Sequence, residues 1–204
     1  MHCTTLYRRL VPGVLTFSLA LAGVQAASLP AVSGHEVPGV HNFHEVNEHV
    51  YRGAQPNKQG FAALAKLGVK TVIDLRGERS ERSVVEGAGM RYVRLAWNGH
   101  RAPGDDQVST VLSLMNDNSA WPVFVHCRRG ADRTGTAIAC YRISHDHWTN
   151  QQALEEAKTL GMSSLEKAMQ HFILHFSSAA QLAATPVRPA AVPVVPAVLL
   201  APQP

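Results

Sequence analysis

The residues best suited to chemistry lie in one run, Cys127-Arg128-Arg129-Gly130-Ala131-Asp132-Arg133, with His126 before it and Thr134-Gly135 after it. Five residues between Cys127 and Arg133 give the backbone enough length to wrap one tetrahedral oxyanion, with successive N–H groups turned inward. Gly130 permits backbone angles that other residues resist. Arg133 can grip two phosphate oxygens with its planar fork, which a lysine cannot do. Donors that hold an anion also stabilise a thiolate. A thiolate facing a bound phosphate can attack phosphorus and form a phosphocysteine, which water then hydrolyses. The amides and Arg133 would stabilise charge on the equatorial oxygens in both steps.

Cys127 is therefore expected to be the nucleophile, and Arg128, Arg129, Gly130, Ala131, Asp132 and Arg133 the phosphate-binding set. Thr134 is placed to donate a hydrogen bond to the departing sulfur, and His126 to orient the loop rather than act as a base. A buried structural cysteine beside an unrelated arginine would not explain the flanking pattern, a β-rich run before and a helix after. A zinc site is poorly supported, because no Cys-x2-Cys or His-x3-His partner lies nearby. Neither a metal nor another cofactor is expected.

The elements around the loop must place it. Pro122 to His126 reads as a short buried strand, and a helix is expected from Thr134 to about His145. Upstream, His49 to Arg52 reads as a strand closed by Gly53 and Pro56. Asn57 caps a helix to Leu67, with Gly68 as its stop. Val69 to Leu75 and Met90 to Leu95 are further strands, separated by the charged segment Gly77 to Arg82 and a short helix. Asp105 or Asp106 opens a helix with Val108, Val111, Leu112 and Met115 on one face. Capping boxes at Thr149–Gln152 and Ser163–Glu166 announce two more helices. Strands alternating with helices predict an α/β domain, with a central, mostly parallel sheet flanked by helices.

The signature from His126 to Gly135 resembles that of the protein tyrosine and dual-specificity phosphatase superfamily. Tyr51-Arg52-Gly53-Ala54-Gln55-Pro56 and Val72-Ile73-Asp74-Leu75-Arg76 are similar to stretches of its compact atypical members, so the likeness spans roughly 49–176. It implies a dual-specificity-phosphatase-like fold and a metal-independent phosphomonoesterase acting on a phosphorylated protein or another phosphomonoester. Such enzymes usually employ an aspartate on a preceding loop as general acid. Asp105, 22 residues before Cys127, is the first candidate, with a plain helix N-cap as the rival reading. Asp132 is the second, since a related bacterial group carries an aspartate at that place. Arg76 is a candidate to line the cleft, and Trp97 and His100 to shape substrate entry. Arg79 and Arg82, alternating with Glu78 and Glu81, read as a solvated face.

At 204 residues, 46% hydrophobic and with a formal charge of +4, the chain suits one globular domain. No run of like charges marks a nucleic-acid arm or polybasic anchor. Residues 1–26 read as a signal peptide: Arg8 and Arg9, an apolar run from Leu10 to Gly23, then Val24-Gln25-Ala26. That run is shorter than the roughly 20 residues a spanning helix needs, so an exported, periplasmic or secreted protein with no stable membrane insertion is expected. The division is then 27–45 as a lead-in, 46–178 as the phosphatase domain and 179–204 as an Ala/Pro-rich tail. Export leaves Cys127 and Cys140. A helix rise of about 1.5 Å per residue puts Cys140 too far along to form a disulfide with the loop.

Overall fold

The computed structural model describes residues 36–177. The expected signal peptide, the early part of the lead-in and the tail lie outside the described residues.

Five short strands form the central sheet: β1 (His44–Asn47), β2 (Val50–Ala54), β3 (Thr71–Asp74), β4 (Arg91–Arg94) and β5 (Val123–Cys127). Their order is β1-β2-β5-β3-β4. All neighbours are parallel except the β1/β2 pair, so the expected mostly parallel sheet is present. Side chains alternate across each strand. Val123, Val125 and Cys127 of β5, with Ile73 of β3, face one layer. Phe124 of β5 and Val72 of β3 face the other.

The second face is covered by α1 (Lys58–Lys66) and α2 (Arg82–Gly87) through Phe61, Leu64 and Val85. Asn57 caps α1 as the sequence predicts, its side chain accepting from the Gly60 amide at 2.9 Å. The first face carries α3 (Asp105–Asn116), which buries Val108, Val111 and Met115, and α4 (Asp132–Ser144). Outside them lie α5 (Asn150–Thr159) and α6 (Lys167–His175). They sandwich the outer side of α4 through Ala139, Ile143, Ala153, Leu154, Ala157 and Ile173. Consequently α4 is covered almost all round, and it lacks the polar stripe of a surface helix. None of the described helices is long and apolar enough to cross a membrane.

Three expectations are corrected. The lead-in contributes β1, whose antiparallel pairing with β2 lies in sequence without sustained period, so the folded unit begins before residue 46. The helix after the loop starts at Asp132 rather than Thr134, which makes Asp132 and Arg133 its first turn. Ser163 does not cap α6, whose N-cap is Glu166. The Ser163 amide instead donates to Asp132 at 2.9 Å, and the Glu166 carboxylate is engaged by His100.

Candidate active site

Strand β5 lies inside the sheet between β2 and β3, where chain order reverses, and open α/β sheets place ligands at the C-terminal edge of such a position. Cys127 ends β5 there, and the following loop turns directly into α4.

The loop's shape follows from what holds its carbonyls. The Gln55 amide donates to the Arg128 carbonyl at 3.3 Å. The Asn42 side chain donates to the carbonyls of Arg129 and Gly130, at 3.3 and 3.1 Å. Arg52 donates to the Gly130 carbonyl at 2.7 Å. In a trans peptide the N–H points opposite the C=O. Three successive carbonyls drawn outward therefore aim the amides of Arg129, Gly130 and Ala131 inward. Gly130 has φ +69, and a Cβ there would meet the Gly53 carbonyl carbon at 2.3 Å, so both its angles and the close approach of β2 require glycine.

The loop floors a cleft of about 780 Å³ whose lining includes Cys127, Arg128, Arg129, Asp132 and Arg133. Gly77, Glu78, Trp97, Asn98, Gly99, His100 and Glu166 complete its lining. Arg133 is 9% exposed; its Nη1 is held by the Leu75 carbonyl at 3.4 Å and lies 4.0 Å from Glu78. Arg129 pairs with Asp132 at 2.7 Å, while exposed Arg128 stands at the junction with a smaller polar cavity. Ala131 is buried, at the turn into α4. The Thr134 hydroxyl is buried and has no hydrogen-bond partner among the described residues.

His126 points to the opposite face of the sheet, fully buried, with its ring beside Phe124. Burial drives its pKa down to about 4, against the opposing pull of Asp74, so the ring is neutral. Around it Arg76 pairs with Asp74 at 2.9 Å and with Glu81 at 2.6 Å. Burial would raise the Asp74 carboxyl, but hydrogen bonds from Arg76 outweigh it and hold the group below its ordinary range. Burial pushes Glu81 up, with Arg76 opposing. Atoms of Asp74, Glu81 and His126 lie within 4.8 Å of one another, a spacing a metal ion could use. The Arg76 guanidinium already supplies the cation there. Arg76 therefore turns back into the fold and does not line the main cleft, and Glu81 is not part of a solvated face.

The two acid candidates are placed differently. Asp105 is the first residue of α3, exposed, and not among the residues lining the cleft. Nor is it the N-cap, which is Gly104. Asp132 lines the cleft, but one carboxylate oxygen accepts from Arg129 and the other from the Ser163 amide. Sequence reading missed Asn42, Gln55 and Glu166, and left Arg52 without a role. The signal for Arg52 was present, as an arginine inside an otherwise apolar strand.

A family model described as a DSP-PTPase phosphatase fused to NAD+ kinase matches residues 27–173. The dual specificity protein phosphatase TpbA of Pseudomonas aeruginosa is 34% identical over 120 residues in one strain and 33% over 138 in another. Those alignments cover 59% and 68% of this chain and span 55% and 62% of the two TpbA sequences. The crystal structure of a TpbA variant in complex with pTyr superposes with a TM-score of 0.65 at 29% identity, covering 76% of this chain and 96% of that one. The inositol diphosphatase DSP5 of Arabidopsis thaliana is 27% identical over 122 residues, 56% of this chain and 59% of that protein.

Proposed function

We propose that this chain, which belongs to the DSP-PTPase phosphatase family, hydrolyses phosphomonoesters through a phosphocysteine on Cys127, phosphotyrosine on proteins being the leading substrate and dual specificity an extension of it. The observation that carries this reading is the outward pinning of the Arg128, Arg129 and Gly130 carbonyls, which aims the loop amides at an anion in front of Cys127. Arg133 closes the cradle at the first turn of α4, whose N-terminus favours negative charge. The likeness to a phosphatase with a pTyr complex supports the substrate class.

The reading is tested by turnover of an aryl phosphate in the presence of a chelator. Cys127→Ser should abolish it. An inactive wild-type protein that still binds phosphate would favour a catalytically weak phosphate-binding module instead.

A second reading, hydrolysis of inositol phosphates or phosphoinositides, is favoured by exposed Arg128 between the two cavities and by the likeness to an inositol diphosphatase. Comparing kcat/KM for a phosphotyrosyl peptide with that for an inositol polyphosphate separates the two. Residues 1–26 are proposed to direct export to the periplasm or beyond; N-terminal sequencing of the mature protein should then begin at Ala27.

A further inference from the structure

We propose that His100, held by Glu166, is the proton donor to the leaving oxygen and the proton acceptor from the hydrolytic water. This rests on the phosphomonoesterase reading of the cleft. A general acid must share the cleft with the sulfur and keep one atom free for the leaving oxygen. The acids that line the cleft are Glu78, Asp132 and Glu166. Both Asp132 oxygens are occupied, by Arg129 and by the Ser163 amide. Glu78 lies 4.0 Å from Arg133, on the side of the group that grips the equatorial oxygens. Glu166 is turned to the His100 ring at 2.9 Å. Asp105 lies outside the cleft.

His100 meets the requirement, and three contacts place it. Trp97 is 2% exposed and anchors the segment in the core. The Asn98 side chain accepts from the His100 amide at 2.9 Å, closing a tight turn in the segment that lines the cleft. Gln107 fastens the same segment from α3, its side chain donating to the Ala96 carbonyl at 3.1 Å and accepting from the Gly104 amide at 3.0 Å. A carboxylate can only accept, so Nδ1 of His100 carries the proton shared with Glu166. That leaves Nε2 as the ring atom for substrate. A carboxylate on Nδ1 also fixes the ring, the arrangement used where histidine shuttles protons.

The step balances. The Cys127 sulfur attacks phosphorus, the S–P bond forms and the ester P–O bond breaks. The leaving oxygen takes the Nε2 proton of the His100 imidazolium and departs as the alcohol. The neutral ring then accepts a proton from water as its oxygen attacks phosphorus. The S–P bond breaks, the thiolate returns, and phosphate leaves with the imidazolium restored.

Nitrophenolate leaves with little help, whereas an alkoxide needs a proton, so the ratio of the two rates reads the acid directly. His100→Gln should lower kcat on an alkyl phosphate by about 100-fold or more and on nitrophenyl phosphate by less than about tenfold, with little change in KM. Glu166→Gln, a change at a positioning residue, should give the same selectivity at smaller size. Asp105→Asn should show no selective loss. Equal losses on both substrates for His100→Gln, or alkyl-selective loss in Asp105→Asn, overturn the proposal while the phosphatase reading stands. A wild-type enzyme inert toward both esters would sink that reading and this proposal with it.

Discussion

Arg52 is a cation enclosed by the fold, 1% exposed, whose Nε and Nη1 lack any hydrogen-bond partner among the described residues. Burial pulls its pKa down to about 10, with Glu156 and the Cys127 sulfur opposing. A cation's pKa lowered on folding is a cost at every pH below the folded value, so charged Arg52 destabilises the protein near neutrality. What it supplies in return is the 2.7 Å bond to the Gly130 carbonyl and a positive charge close to the nucleophile. Arg52→Met should therefore leave the thermal midpoint unchanged or raise it, while kcat/KM falls at least about tenfold. A lost midpoint with activity retained per folded molecule would assign Arg52 to stability instead. At this scale Cys127 and Arg133 were legible because their geometry is set by neighbours in sequence. Asn42 and Glu166 reach the site only through tertiary packing, and no local spacing announces them, whereas Arg52 shows as a lone charge in an apolar strand.

The elements show the same division. The α1 cap and the continuous buried runs of β3 and β5 are local physics, and those elements stand where that physics predicts. The start of α4 was misjudged because Asp132 and Arg133 look like loop chemistry, although they form the first turn of the helix. Ser163 has a cap's sequence, but its amide bonds across the molecule to Asp132. Strand β5 also carries a pH response. His126 is neutral when folded, with its pKa near 4, against an ordinary value of 6.5. Between those values the unfolded chain binds a proton that the native state refuses. The stabilisation is complete above about pH 6.5 and is lost as pH falls toward about 4, by on the order of 3 kcal/mol. His44 is shifted in the same direction by burial, so the comparison must isolate His126. Urea unfolding from about pH 7 to about pH 4.5 should show a shallower loss in His126→Asn than in the parent protein. Identical slopes would place the response elsewhere.

At the scale of the molecule, the two layers were legible as alternating strands and helices, whereas the β1/β2 pairing and the insertion of β5 between β2 and β3 are long-range choices that no window of sequence contains. That architecture separates the two described cysteines. Cys127 opens to the cleft, while Cys140 is 0% exposed in the middle of α4, between the sheet and the outer helices, and burial pushes its thiol far up. A group so enclosed reacts only when the whole domain opens. Native protein treated with iodoacetamide should gain an adduct on Cys127 and none on Cys140, and inorganic phosphate should slow the Cys127 reaction by filling the cradle. Labelling of Cys140 should rise with urea along the slope of global unfolding. Labelling of Cys140 in native protein at a rate comparable to Cys127, read by peptide mass spectrometry, would mean that the layers over α4 part without unfolding and that the helix is not the closed centre of the fold.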